Sequence, residues 1–301
     1  MLNAPALTIL LPLKHYHHTY LRKAVNSIIG QTCPYWSMLV IVDAEKVSTF
    51  KGLLQQDLTN SRISMIENEG RQLAGKLNTG MRHARTSFVA ILAGDDMWSP
   101  DAVAVLSEHI SNFPAIDFFH SSRIFIDEND RPISSIYYSR ESFGLEDFLS
   151  ASPVKYLLCW RREKALSFGG MDESLNSVGV DDFDFPWSMA ERGATFMAIK
   201  EPLYLARDHR DGFRLTTHLP LSVHIQEIER IMRKHGASEA RIRMRIRAAK
   251  KGYLRQCLYR SPFDKWLKEM LGYDPRRGGK ASLNAGREQP SRSFGYTRDA
   301  A

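Results

Sequence analysis

Two adjacent carboxylates, Asp95 and Asp96, close an apolar run in "TSFVAILAGDDMWSPDAV" (86–103). The run reads as a buried strand, and Gly94 turns the chain into the acids. Like charges side by side at such a strand end repel each other and resist desolvation. A solvated turn is one reading. The other is a hard divalent cation, since Mg²⁺ commonly takes one or two carboxylates together with substrate phosphate oxygens. Other acids occupy comparable positions. Asp43 ends "SMLVIVD", and Asp181, Asp182 and Asp184 follow Gly179 in "VDDFDFPWSMAERG". Alone, Asp43 reads as a loop residue, and helix capping explains the last group as well as catalysis does.

These positions matter because of the elements around them. "ALTILLPL" (6–13), 37–43, 62–67 and 86–93 are short apolar runs of strand type. Between them, 19–31, about 45–57 and 71–85 carry helical spacing, with Thr19 as the expected N-cap of the first. Strands apolar on both faces, alternating with helices, predict a parallel sheet covered by helices. Ligands then bind beyond the carboxyl ends of the strands, where Asp43 and the Asp95–Asp96 pair would lie. Further along, the pattern predicts a helix over 100–112 and a strand pair over 116–127 and 132–139. A strand at 156–160, a helix over 180–193 and two short strands within 194–207 follow.

No GxGxxG follows the first strand and no GxxxxGK[ST] occurs, which weighs against dinucleotide-dependent dehydrogenases and P-loop enzymes. The first loop, "LLPLKHYHHTY", has no glycine, which weighs against sugar nucleotidyltransferases. His15, His17 and His18 in that loop suggest surface or nucleotide contacts more than a metal site. Trp36, Trp98, Trp160 and Trp187 flank the motifs; core packing is the common role for tryptophan, and Trp98 is the one closest to the acids.

The ordered set "ILLPLK", "LRKAVNSIIGQT", "LVIVD", "AGKLNTGMRHA", "FVAILAGDDMWSPDAV", "GGMDESL" and "DDFDFPWSMAERG" resembles family 2 glycosyltransferases over residues 5–215. That resemblance implies an α/β fold of the GT-A type: a Rossmann-like, mostly parallel sheet flanked by helices. It also implies a nucleotide-diphosphate sugar donor, Mg²⁺ or Mn²⁺, and inversion at the anomeric carbon. Carried over motif by motif, Asp182 would be the catalytic base. Pro12, Asp43, Lys76, Asn78, Asp95 and Trp98 would contact the donor, with Lys76 near its diphosphate. Asp96 and His209 would hold the metal, and Asp181 and Trp187 would face the acceptor. A helix N-terminus at Asp182 would keep it ionised. Two departures touch the nucleobase: Asp43 is followed by Ala44, and the first loop offers Lys14 and His15. No QxxRW occurs, so processive synthesis gains no support. The alternatives are another nucleotide-sugar enzyme of GT-A type, such as a nucleotidyltransferase, or a non-catalytic nucleotide-sugar binder.

The net charge of +7 is uneven. Residues 1–229 carry 22 Lys/Arg against 28 Asp/Glu, and residues 230–301 carry 19 against 6. The expected division is a catalytic domain over 1–220, with a nucleotide-sugar part to about 100 and an acceptor part beyond. A basic helical extension over 221–272 follows, then a tail over 273–301 of disordered composition. "ARIRMRIRAAKKGYLRQCLYR" (240–260) reads as a basic amphipathic helix. It can pack on the catalytic domain, or lie through 230–260 on an anionic membrane and so favour a lipid-linked over a free glycan acceptor. Nucleic acid is not an expected partner, since no aromatic interleaving or recognised motif accompanies the charge. Cys33, Cys159 and Cys257 are scattered and read as reduced thiols. With no signal-type N-terminus or spanning segment, the expected address is cytoplasmic, at the inner membrane face if the basic segment binds lipid.

Overall fold

A computed structural model describes residues 6–175, 178–208 and 220–259, the side chains of 255–259 excepted. Its centre is an eight-stranded sheet. Strand β1 (Leu7–Leu13) pairs in parallel with β2 (Trp36–Val42) on one side and β4 (Phe88–Ile91) on the other, and β2 continues to β3 (Ile63–Glu67). Beyond β4 the sheet becomes mixed. Strand β7 (Leu158–Arg161) runs antiparallel to both β4 and β6 (Phe118–Ile126). Strand β8 (Phe196–Arg207) is parallel to β6, and the two-residue β5 (Met97–Trp98) closes the edge against it.

The early helices follow the expected pattern. Helix α1 (His18–Ile29) buries Leu21, Ala24, Val25 and Ile28 on one face. Its N-cap position is His17, not Thr19, and no side chain caps it. Helices α2 (Val47–Leu53), α3 (Gln72–His83) and α4 (Ala102–Asn112) complete the repeating units. Helix α3 starts unusually close to the chain before it. A Cβ on Gly75 would lie 2.3 Å from the carbonyl carbon of Gly70, so only glycine permits this approach.

The second half departs from the expected pattern more often. Residues 132–139 form only isolated bridges, Arg123 to Tyr137 and Ile126 to Pro132, not a strand. Residues 196–207 form one strand, not two. Its register against β6 shifts around Ser122, which absorbs Pro202 without ending the pairing. Short helices α5 (Leu145–Phe148) and α6 (Arg162–Leu166) flank β7. The expected helix over 180–193 is two pieces. Gly179, in the left-handed region (φ 71°), starts one wide π-type turn over Val180–Asp184, and α7 (Phe185–Glu191) continues from it.

The core does not stop at residue 220. Helix α8 (Leu221–Lys234) buries Ile228, Ile231 and Met232 beside Val180, Phe183 and Trp187. Helix α9 (Glu239–Tyr259) adds Ile242 to the same cluster. The basic segment therefore packs on the preceding α/β fold in its described part, with Arg241, Arg243, Arg247, Lys250 and Lys251 exposed. No helix among the described residues is long and apolar enough to cross a membrane. Residues 260–301 lie outside the described residues. Cys159 is buried and Cys33 half-buried, both as free thiols, and burial pushes the Cys159 thiol up.

Candidate functional site

The carboxyl ends of β2 and β4 carry the first half of the site. Asp43 follows β2 and accepts hydrogen bonds from Lys76 Nζ at 2.5 Å and Asn68 Nδ2 at 2.9 Å. Burial alone would raise its pKa. The bonds from Lys76 and Asn68 and the Lys76 charge outweigh that and hold the carboxyl below its ordinary range. Lys76, expected near the donor's diphosphate, is itself only 3% exposed and pairs with Asp43. Pro12 is half-buried in β1, in register with Ile41.

Asp95 and Asp96 leave β4 through Gly94. Asp96 Oδ1 accepts from the backbone N–H of Arg207 at 2.6 Å, and Oδ2 accepts from the Tyr204 hydroxyl at 2.7 Å. Arg207 lies behind the pair with its side chain 0% exposed. It donates to the Asp95 carbonyl at 2.8 Å, donates to the Asp127 carbonyl at 2.7 Å, and pairs with Asp130 at 2.6 Å. A fixed protein cation thus offsets part of the repulsion that made the acidic pair costly in sequence. Both Asp96 oxygens accept hydrogen bonds, and a carboxylate oxygen can take a second partner. Such hard oxygen donors, half-exposed, fit a cation whose remaining ligands come from substrate. No group of three or more His, Cys, Asp or Glu side chains forms a protein-only metal cage among the described residues. His209, expected as a metal ligand, lies outside the described residues.

The second half is a cavity of about 550 Å³ whose walls include Lys155, Tyr156, Asp181, Asp182 and Arg245. The wide turn after Gly179 brings Asp181 and Asp182 into the same space. Asp181 is buried and accepts a hydrogen bond from the Tyr156 hydroxyl. Burial first, and then the neighbouring Asp182 charge, push its carboxyl up to about 8. Burial also raises Asp182, against the charges of Arg123, Lys155 and Arg245. The expected lowering of Asp182 by a helix N-terminus is therefore corrected: Asp182 sits in the wide turn ahead of α7, and desolvation dominates. The charges of Arg123, Lys155 and Arg245 act on Asp182, which favours the negative charge of the pair there and the proton on Asp181.

A raised folded-state value carries a stability sign. The contribution of Asp181 is fully present below its ordinary value of 3.8 and is lost as pH rises toward about 8. Asp181→Asn is neutral at every pH. It is expected to raise the melting temperature at about pH 8 and change it little at about pH 4. Equal shifts at both would show that Asp181 is not held protonated.

The two halves meet through a pair of rings. Tyr204, bonded to Asp96, and Tyr156, bonded to Asp181, have centroids 5.1 Å apart. Desolvation and the nearby Asp96 charge raise the Tyr204 hydroxyl well above its ordinary value, so it remains a donor.

Three residues expected at the donor or acceptor are buried in the fold. Asn78 is 4% exposed; its amide donates to the Met171 carbonyl and Glu173 and accepts from the Met171 N–H. It pins the "GGMDESL" loop to α3. Trp98 is 1% exposed in the core between α1 and the sheet. Trp187 is 2% exposed and stacks on His235 at 4.2 Å and Phe148 at 5.6 Å. Tyr156, Tyr204, Arg207 and Asn68 join the site without belonging to any of its sequence motifs. Only Arg207 left a trace in the sequence, as a charge ending the apolar stretch "PLYLA".

The profile of "Glycosyl transferase family 2" matches residues 8–162, which span β1 to the start of α6 and include Asp43, Asp95 and Asp96. The chain belongs to glycosyl transferase family 2. A curated relative, the "O-antigen biosynthesis protein RfbC" of Myxococcus xanthus, is 24% identical over 207 residues, covering 68% of this chain and 16% of that protein. The next curated relatives are matched over 35% to 57% of their own length, so this family 2 chain spans only part of each. Among solved structures, S. aureus TarS in complex with UDP-GlcNAc aligns at a TM-score of 0.59 and 16% identity, over 76% of this chain and 66% of that one. The mannosyltransferase PcManGT of Pyrobaculum calidifontis, in complex with GDP-Man and Mn²⁺, aligns at 0.55 and 17% identity, over 91% and 82%. At these identities the likeness shows the fold, which is of the GT-A type.

Proposed function

We propose that the protein is an inverting glycosyltransferase that moves a sugar from a nucleotide-diphosphate donor to an acceptor hydroxyl in surface glycan biosynthesis. The observation that carries this reading is the joining of Asp96 to the Asp181–Asp182 cavity through Tyr204 and Tyr156. A donor-type strand end and a charged carboxylate in a cavity stand on either side of one ring pair. Family membership supports transfer of a sugar, and the name of the O-antigen relative supports the pathway class.

Asp43, held ionised by Lys76, accepts from the nucleobase or ribose. Asp95 takes the donor sugar or ribose. A Mg²⁺ or Mn²⁺ held by Asp96 would compensate the charge of the departing diphosphate. Asp182 accepts the proton of the acceptor hydroxyl as that oxygen attacks C1. The bond from C1 to the diphosphate oxygen breaks, and the nucleoside diphosphate leaves with the electron pair. Attack from the face opposite the leaving group inverts the anomeric carbon. Asp181, protonated and fixed by Tyr156, keeps the second charge out of the cavity.

Division of the chain at residue 220 is proposed as functional: the donor side lies before it and part of the acceptor wall after it. The exposed arginine and lysine side of α9 supports peripheral contact with anionic lipid. A screen of nucleotide sugars for Mn²⁺-dependent thermal stabilisation tests the reading. One donor should raise the melting temperature only with the metal. Silence across UDP-, GDP- and dTDP-sugars would count against it.

A further inference from the structure

The cavity beside Asp182 holds more positive charge than the reaction needs. Arg245 comes from α9, outside the segment matched by the family profile. Its guanidinium lies over Phe183 at 5.3 Å and makes no hydrogen bond or ion pair among the described residues, although its Nε is fully buried. Lys155 is half-buried in the lining of the same cavity, and its Nζ donates to the Ser152 carbonyl at 3.3 Å. Arg123, which is not part of the cavity lining, acts on Asp182 through its charge, and its Nε is buried and unpartnered. Against these cations stands the Asp181–Asp182 pair, whose negative charge burial disfavours. Burial lowers the pKa of both Lys155 and Arg245, the mark of cations short of a counter-charge.

Catalysis by a carboxylate base gives no reason for this surplus. A cation beside the base stabilises its ionised form, but each further one makes it a weaker proton acceptor. Arg245 is half-buried, and a buried, unpartnered Nε of this kind is completed by a ligand. Planar donors and a nearby ammonium match a tetrahedral, multiply charged oxyanion.

We propose that Arg245 and Lys155 form an anion subsite that takes a phosphate group of the acceptor and so selects phosphate-bearing acceptors over neutral ones. This rests on the reading of Asp182 as the acceptor-side base. The same phosphate chemistry could come from the donor's diphosphate. Position argues for the acceptor: Tyr156 and Tyr204 stand between this cavity and Asp96, the proposed holder of the donor's metal.

Titration calorimetry with inorganic pyrophosphate in EDTA tests the subsite without any need for activity. The wild-type chain is expected to bind the probe. Arg245→Met and Lys155→Met should each weaken it about tenfold or more. Methionine keeps the apolar stem, and melting temperatures check that both variants fold. Asp96→Ala should leave the affinity unchanged, and Asp182→Asn should tighten it by removing a repelling charge. A second titration in saturating UDP and Mn²⁺ separates the two phosphate sources. Undiminished binding assigns the subsite to the acceptor, whereas competitive displacement assigns it to the donor and overturns the proposal. No binding to wild type, or wild-type affinity in both methionine variants, overturns it as well. If Asp182→Asn keeps full transfer while pyrophosphate binding follows Arg245, the base assignment fails and the anion site stands. The reverse pattern fails only the subsite.

Discussion

Asp182→Asn is expected to keep donor binding and lose transfer by about 10³-fold. The substitution preserves shape and removes the one charged oxygen in the cavity that the cations leave able to take a proton. Donor contacts at Asp43 and Asp96 belong to other strand ends, so the donor's effect on melting temperature should survive. Single-turnover transfer with the donor that stabilises wild type measures the loss. The pH profile gives a second readout. Burial raises the pKa of both carboxylates, so the acid limb of kcat/KM should lie above the ordinary aspartate range. In Asp182→Asn that limb should disappear with the activity. Full activity in the variant would remove Asp182 as the base.

Asp96→Ala addresses the other side of the ring pair. Loss of this carboxylate should abolish Mn²⁺-dependent stabilisation by the donor. Metal affinity should fall beyond the roughly 10–100-fold that outer partners of a metal site cost. Tyr204 and the Arg207 N–H lose their acceptor together, so a drop in melting temperature without ligand is also expected. The informative quantity is the difference between melting curves with and without Mn²⁺ and donor. If that difference survives Asp96→Ala, the metal–diphosphate assignment is wrong, whatever the variant's baseline stability.

Legibility of the chain followed locality. Strands β1 to β4 and helices α1 to α4 are readable because each carries its own periodicity, and β1, β2 and β4 are mostly buried apolar runs. The second half was harder. β5 has two residues, too few for any pattern, and 196–207 contains Pro202, which reads as a break but sits at a register shift. Acids at strand ends were visible as chemistry. The groups that govern them were not, because Tyr204 lies 108 residues from Asp96 and Tyr156 lies 25 from Asp181. An ordinary tyrosine in an apolar run carries no local mark of such a contact. Trp98, Trp187 and Asn78, marked for ligand contact by the family resemblance, are buried in packing and loop closure, which no local pattern announces.

Asp184, at the end of the turn that bears Asp182, is 1% exposed and held from α8 by Lys234 Nζ at 2.8 Å and His235 Nε2 at 3.0 Å. This latch bears on how the protein can be dissected. A chain cut at residue 230 would lose the latch and one wall of the cavity along with its basic surface. Failure of such a fragment to transfer sugar or float with liposomes would look like a lost anchor, while the cause could be a slackened catalytic turn. Charge reversals on the outward side of α9, at Arg241, Arg243 or Arg247, probe lipid contact with the latch left closed. The smallest unit worth expressing reaches past the family match to the end of that helix.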